Sequence, residues 1–77
     1  MIILKIIKNN QSIYSGKVSK VYIRADNLGT IELQEGHSNA MYKIHGEVQY
    51  ICENDRHSAE LHDAVACITR NTVEIVE

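Results

Sequence analysis

Four histidines (His37, His45, His57 and His62) and two cysteines (Cys52 and Cys67), set among ten acidic residues, are the side chains of this 77-residue chain that could do chemistry. Two chemistries are open to such a set, zinc binding and catalysis by a thiolate. His57 and His62 have four residues between them, the spacing of the histidine half of a zinc finger, yet no Cys-x-x-Cys or Cys-x-x-x-x-Cys pair accompanies them. Cys52 or Cys67 with a histidine and Asp55 or Asp63 can be drawn as a thiol triad, but no local signature supports it. Both thiols lie in apolar stretches, where cysteine usually serves as a small core hydrophobe. The acids Glu32 with Glu35, and Glu53 with Asp55, read as solubilising charges of strands and turns. Glycines at 16, 29, 36 and 46 are too scattered for a phosphate-gripping loop. The residues point to a chain without catalytic groups, cofactor or metal.

One histidine stands out by its setting. Gly36-His37 follows Gly29-Thr30-Ile31-Glu32-Leu33-Gln34-Glu35 and precedes a second apolar stretch with Ala40, Tyr42 and Ile44. Ile31 with Leu33, and then Ala40, Tyr42 and Ile44, alternate as half-buried strands do. Glycine gives the backbone freedom for a turn, so the pair is expected to present an imidazole at the rim of a sheet.

The elements that must position it are strands almost throughout. Ile2 to Ile7, Ile13 to Tyr14, Val18 to Ile23, Gly29 to Leu33, Ala40 to Ile44, Glu47 to Cys52 and Val73 to Val76 carry the β-branched and alternating signals. Polar or glycine-containing breaks separate them at Asn9-Asn10-Gln11, Ser15-Gly16, Ala25 to Gly29, Gly36 to Asn39, His45-Gly46 and Arg70-Asn71. Short strands at close spacing imply an all-β fold, an antiparallel β-sandwich or barrel. Two positions resist simple reading. Val21 and Ile23 share a face while Val18 falls on the other, which calls for a bulge near Ser19 or an outward-facing residue. Asn54 to Cys67 suits either a helix capped by Ser58 or two strands bent at His62-Asp63, with the strands preferred.

Composition narrows the partners. A formal charge of -2 and scattered lysines and arginines argue against nucleic acid or an anionic membrane surface. Lys17, Lys20 and Arg24 come closest to a basic patch and read as one solvated strand face. The opening run Ile2-Ile3-Leu4-Lys5-Ile6-Ile7 is too short and interrupted for a membrane span or leader, so reduced thiols in a cytosolic setting are expected. A domain this small buries only about 60% of the surface its unfolded chain exposes, and residues 1–77 are expected to form a single domain with one core. With four tyrosines as its only aromatics, that core must be built from Ile, Val, Leu and Ala.

Taken in order, three segments resemble the amino-terminal β-sandwich domain of the epsilon subunit of F-type ATP synthases, called delta in mitochondria. Ile13-Tyr14-Ser15-Gly16-Lys17-Val18-Ser19-Lys20-Val21 is similar to that family's phe-ser-gly-x-val-x-x-val segment. Gly29-Thr30-Ile31-Glu32-Leu33-Gln34-Glu35-Gly36-His37-Ser38-Asn39-Ala40 occupies the frame of Gly-x-Leu-Gly-Ile-Leu-Pro-Gly-His-Ala-Pro-Leu. Ile44-His45-Gly46-Glu47-Val48-Gln49-Tyr50-Ile51 is similar to leu-lys-pro-gly-x-val-x-ile. Glu32 replaces the second glycine, Glu35 and Asn39 replace two prolines, and Asp63-Ala64 stands where the family usually has Gly-Gly.

The resemblance implies a non-catalytic rotor subunit of the central stalk. Such a subunit binds the gamma subunit and rests on the polar loops of the c-ring, helping to couple proton flow to ATP synthesis, as a peripheral part of the complex on the cytoplasmic face of the membrane. By the same resemblance Gly36 and His37 would contact gamma, and Asp26, Asn27, Leu28, Gly29 and Thr30 would face the c-ring, where family members often carry an acid at the position of Thr30. No carboxy-terminal helical hairpin is expected within these residues, and hence no inhibitory or ATP-sensing role. In isolation the chain is expected to be a monomer, its interfaces being heterologous. A free-standing β-sandwich interaction module is the alternative reading.

Overall fold

The computed structural model, which describes residues 1–77, contains seven strands: β1 (Ile2–Lys8), β2 (Gln11–Val18), β3 (Lys20–Ala25), β4 (Gly29–Leu33), β5 (Ala40–Cys52), β6 (Asp55–Thr69) and β7 (Thr72–Val76). Period-two alternation decides which side of each strand is buried. In β1, Ile2, Leu4 and Ile6 are buried while Ile3 and Lys5 face solvent, and in β7 Val73 and Ile75 are buried between exposed neighbours. One cluster of sixteen buried residues draws on all seven strands, and its only aromatic is Tyr50. No buried side chain in it is polar or charged beyond that tyrosine's hydroxyl.

Hydrogen bonding joins the strands into one sheet in the order β2-β1-β7-β6-β5-β3-β4. Strands β2 and β3 stand five places apart in that order, yet only Ser19 separates them in the chain. Since neighbouring Cα atoms lie about 3.8 Å apart, the sheet has to fold over until its two ends meet. Ser19 marks the closure: its N–H donates to the Ile51 carbonyl at 2.9 Å and its hydroxyl to the same oxygen at 3.2 Å. Strands β5 and β6 belong to both layers. Residues 40–44 of β5 pair with 64–68 of β6, which adjoins β7, whereas 49–51 of β5 pair with β3. The thinnest dimension of the molecule, 18 Å, suits two layers about 10 Å apart with outward side chains on both.

The bend between layers is built into that long hairpin. Ile44 faces Ala64 and Gly46 faces Leu61, so His62 and Asp63 together stand opposite the single residue His45. This is a β-bulge, which kinks the strand and increases its twist. The amide of His62, displaced from the ladder, donates instead to the Glu77 carboxylate at 2.8 Å. Gly46 has φ +80, a left-handed conformation that a side chain disfavours.

The expected all-β architecture is the one adopted, and residues 55–69 form neither a helix nor two strands but one continuous strand kinked by the bulge at His62-Asp63. Four details differ from the sequence reading. Ser15-Gly16 is no break but lies inside β2, paired with Lys5 and Leu4 of β1. The sheet is not wholly antiparallel, because β1 and β7 run parallel, with Leu4 beside Val73 and Ile6 beside Ile75; these strands meet across the whole length of the chain, beyond the reach of local signals. His45-Gly46 is not a turn between strands but the irregularity inside β5. Val18 to Ile23 is two strands broken at Ser19, which is how Val18, Val21 and Ile23 are all buried despite their conflicting parity. The tight turns at Asn9-Asn10 and Glu53-Asn54 have positive φ at both positions, the geometry whose twist matches paired strands.

Burial on alternate residues makes a direct test. Leu4→Ala should destabilise the protein by about 2–5 kcal/mol through the cavity it leaves, while Ile3→Ala, one residue away and 46% exposed, should cost about 1 kcal/mol or less. Urea denaturation of both variants measures the contrast, and equal losses would refute the assigned faces.

Candidate functional site

Edge strand β4 connects the two segments that the sequence singles out. Beyond Leu33, the amide of His37 donates to the Gln34 carbonyl at 3.2 Å, closing a four-residue turn. Gly36 sits at its third position with φ +83, the conformation a type II turn requires there. No atom lies within 4 Å of where a Gly36 Cβ would be, so the backbone, not space, demands glycine. The half-buried His37 ring places Nδ1 2.9 Å from the Ser38 carbonyl oxygen. A carbonyl only accepts, so Nδ1 carries the proton and Nε2 is left as an acceptor on the neutral ring.

At the other end of β4 lies the loop Asp26-Asn27-Leu28, with Ala25 paired to Gly29 across its base. All five residues from Asp26 to Thr30 are exposed. Leu28 is 66% exposed, one of the most exposed large apolar side chains in the molecule. The Asp26 amide donates to the Lys43 carbonyl at 2.9 Å and the Leu28 amide to the Ala25 carbonyl at 3.2 Å. The Asp26 carboxylate also accepts a hydrogen bond from Nδ1 of His45 on β5. Five residues of strand span about 17 Å, so the structure does not bring His37 and the loop together; it holds them as two surfaces at opposite ends of one strand.

His45 is the partner that sequence reading missed. It could not be found there, because Asp26 and His45 lie nineteen residues apart and meet only through the Ala25–Ile44 pairing. Two open depressions flank the loop. One of about 240 Å³ is lined by Tyr22, Ile23, Arg24, Thr30, Glu47 and Gln49. The other, of about 180 Å³, is lined by Asp26, Lys43, Ile44, Asp63, Ala64 and Val65.

Of the remaining reactive side chains, Cys52 and Asp55 face one another across the β5–β6 hairpin, next to the paired Tyr50 and His57. No three His, Cys, Asp or Glu side chains gather in an arrangement that could hold a metal ion. Cys67 and Asp63 are four residues apart along one strand, about 13 Å. The Cys52 thiol donates to the Lys17 carbonyl at 3.6 Å and packs with aromatic rings. Tyr14 and Tyr50 have centroids 4.5 Å apart, and His57 stacks on Tyr50 at 5.5 Å. Burial, then a hydrogen bond with Cys52, pushes the Tyr14 hydroxyl up from 10.0 to about 12, and burial also raises Tyr50. Of the basic residues, Lys20 lies 4.0 Å from Glu32 with both side chains largely exposed, a pairing of little energetic weight.

No family model matches the sequence, and no curated protein matches it. The fold does match. A chain in the cryo-EM structure of the Euglena gracilis mitochondrial ATP synthase, comprising OSCP, F1 and c-ring in rotational state 1, superposes with a TM-score of 0.89 over 97% of this chain at 20% identity. The present chain spans about half of that chain, 49% of its length. At this identity the likeness establishes a shared fold.

Two measurements probe the local chemistry. Gly36→Ala should lower stability by about 1 kcal/mol, read by urea denaturation, since alanine must adopt φ +83; an unchanged midpoint would mean that the turn relaxes freely. The folded protein holds the Tyr14 proton more tightly than the unfolded chain, so this contribution is complete below about pH 10 and is lost as pH rises towards about 12. Tyr14→Phe should flatten that alkaline decline in thermal stability, and an unaltered slope would show that the group does not contribute.

Proposed function

We propose that this chain is a non-catalytic subunit of an F-type ATP synthase, corresponding to the amino-terminal β-domain of the epsilon subunit. The observation that carries the reading is a 0.89 structural match over 97% of the chain to a chain from an ATP synthase structure, in agreement with the ordered sequence resemblance centred on Gly29 to Ala40.

In this reading the protein is a coupling element of the central stalk that makes and breaks no covalent bonds. It docks on the gamma subunit through Gly36 and His37 and on the c-ring through Asp26, Asn27, Leu28, Gly29 and Thr30. The separation of these segments along β4 supports the division of labour, because a part that transmits rotation needs two contact surfaces on a stiff body. A close-packed interior with low compressibility supplies the stiffness. Thr30 brings no charge to the c-ring side, so no ion pair with a basic ring loop is available at that position. No helix is long and apolar enough to cross a membrane, and the reading has the protein reach the membrane's cytoplasmic face through its complex, with the rotation driven by protons.

Affinity capture of the tagged protein from its own host should bring down the gamma, alpha and beta subunits and the c-ring in stoichiometric amounts. His37→Ala should weaken gamma binding by about tenfold while leaving the melting temperature unchanged. Capture of the chain alone, or with unrelated proteins, would overturn the assignment in favour of a free-standing interaction module.

A further inference from the structure

We infer that His37 docks as a hydrogen-bond acceptor: its Nε2, kept unprotonated by the bond that Nδ1 makes to Ser38, receives an N–H or O–H from the gamma subunit. This rests on the proposed role of the Gly36-His37 turn as the gamma contact and specifies the group that the partner must bring.

The tautomer carries the first step. A neutral imidazole has one proton for two nitrogens, and the nitrogen that faces an acceptor holds it. In His37 that nitrogen is Nδ1, 2.9 Å from the Ser38 carbonyl oxygen. The opposite tautomer would set the Nδ1 lone pair against the lone pairs of that oxygen, whereas the tautomer with Nδ1–H makes a hydrogen bond and leaves Nε2 free to accept. The main chain beneath the ring is held as well. The His37 amide closes the turn on the Gln34 carbonyl at 3.2 Å, Gly36 supplies φ +83, and the ring is half-buried. Ordering of this kind before contact removes part of the entropic cost of binding.

The groups around the turn leave Nε2 as its distinguishing feature. Glu35 is paired with the Met1 ammonium, and Glu32 accepts from the Gln34 amide and lies 4.0 Å from Lys20. Ser38 and Asn39, exposed beside the ring, carry side chains that donate as readily as they accept. Nε2 is the unengaged side-chain atom whose role the structure fixes. A partner that opposed it with a carbonyl or carboxylate would bury two acceptors against each other or break the bond to Ser38, and either is costly once water is excluded. A backbone N–H, a side-chain amide, a hydroxyl or a guanidinium meets it without rearrangement. The turn therefore selects a donor and rejects an acceptor at this point, which is discrimination by mismatch as well as by fit.

Two readouts test the inference, one on the chain alone and one on its binding to the gamma subunit of the same host. Long-range proton–nitrogen correlation spectra of the isolated chain at about pH 8, above the range in which imidazoles ordinarily titrate, should show Nδ1 of His37 protonated and Nε2 bare. The reverse assignment would overturn the inference whatever gamma does. In calorimetric titration with gamma, His37→Gln, whose amide oxygen reaches the place of Nε2, should bind within about threefold of wild type. His37→Asn, whose amide nitrogen reaches only the place of Nδ1 and keeps the bond to Ser38, should bind about tenfold more weakly. A residue that merely held the turn in shape would give the opposite order, because asparagine preserves the internal bond and glutamine does not; that order would overturn the inference. A wild-type chain that shows the Nδ1 proton but has no measurable affinity for gamma would remove the gamma contact itself, and this inference with it.

Discussion

The whole molecule depends on closing one sheet upon itself across a single residue. Ser19 links the first strand of the sheet order to the sixth, and with no other slack available every strand between them must curve until the two ends lie together. Closure gives each strand one inner face and one outer face, and it converts seven marginal strands into walls around a common core. The hydrogen bonds from Ser19 to Ile51 and from the Cys52 thiol to Lys17 join the tails of β2 and β5 at that seam.

Curvature of this degree has to be paid out somewhere, and the long β5–β6 hairpin supplies it. The bulge places two residues, His62 and Asp63, against His45, whose imidazole donates to Asp26 in the β3–β4 loop. A device that serves folding thus also serves the candidate site. The carboxylate of Glu77 satisfies the amide that the bulge displaces, and no buried side-chain nitrogen or oxygen in the molecule lacks a hydrogen-bond partner.

Edge strand β4 translates this rigidity into placement. It is short, five residues, and is hydrogen-bonded along its length to β3, so the Gly36-His37 turn and the Asp26–Thr30 loop are fixed at its two ends. Each end is determined by backbone geometry: a left-handed glycine in one, a left-handed asparagine and two backbone hydrogen bonds in the other. Neither depends on a catalytic arrangement of side chains, which suits the mechanical role proposed above.

What the sequence determined by itself is whatever acts within a few residues. β-branched runs at Ile2 to Ile7 and Val73 to Val76 marked strands, the Asn9-Asn10 break marked a turn, and the conflicting parity of Val18 with Val21 flagged an irregularity near Ser19 without showing that the strand ends there. Gly36 was legible because a left-handed φ leaves a glycine in the chain. The tertiary structure decided everything that depends on which strand lies beside which: the parallel pairing of β1 with β7, the continuity of β5 through His45-Gly46, and the meeting of His45 with Asp26. These arise from burial shared among residues far apart in sequence, and the hydrophobic effect that drives such burial is non-directional. It demands that apolar faces be covered without specifying by whom, so pairing and register emerge only when all seven strands close around the same core.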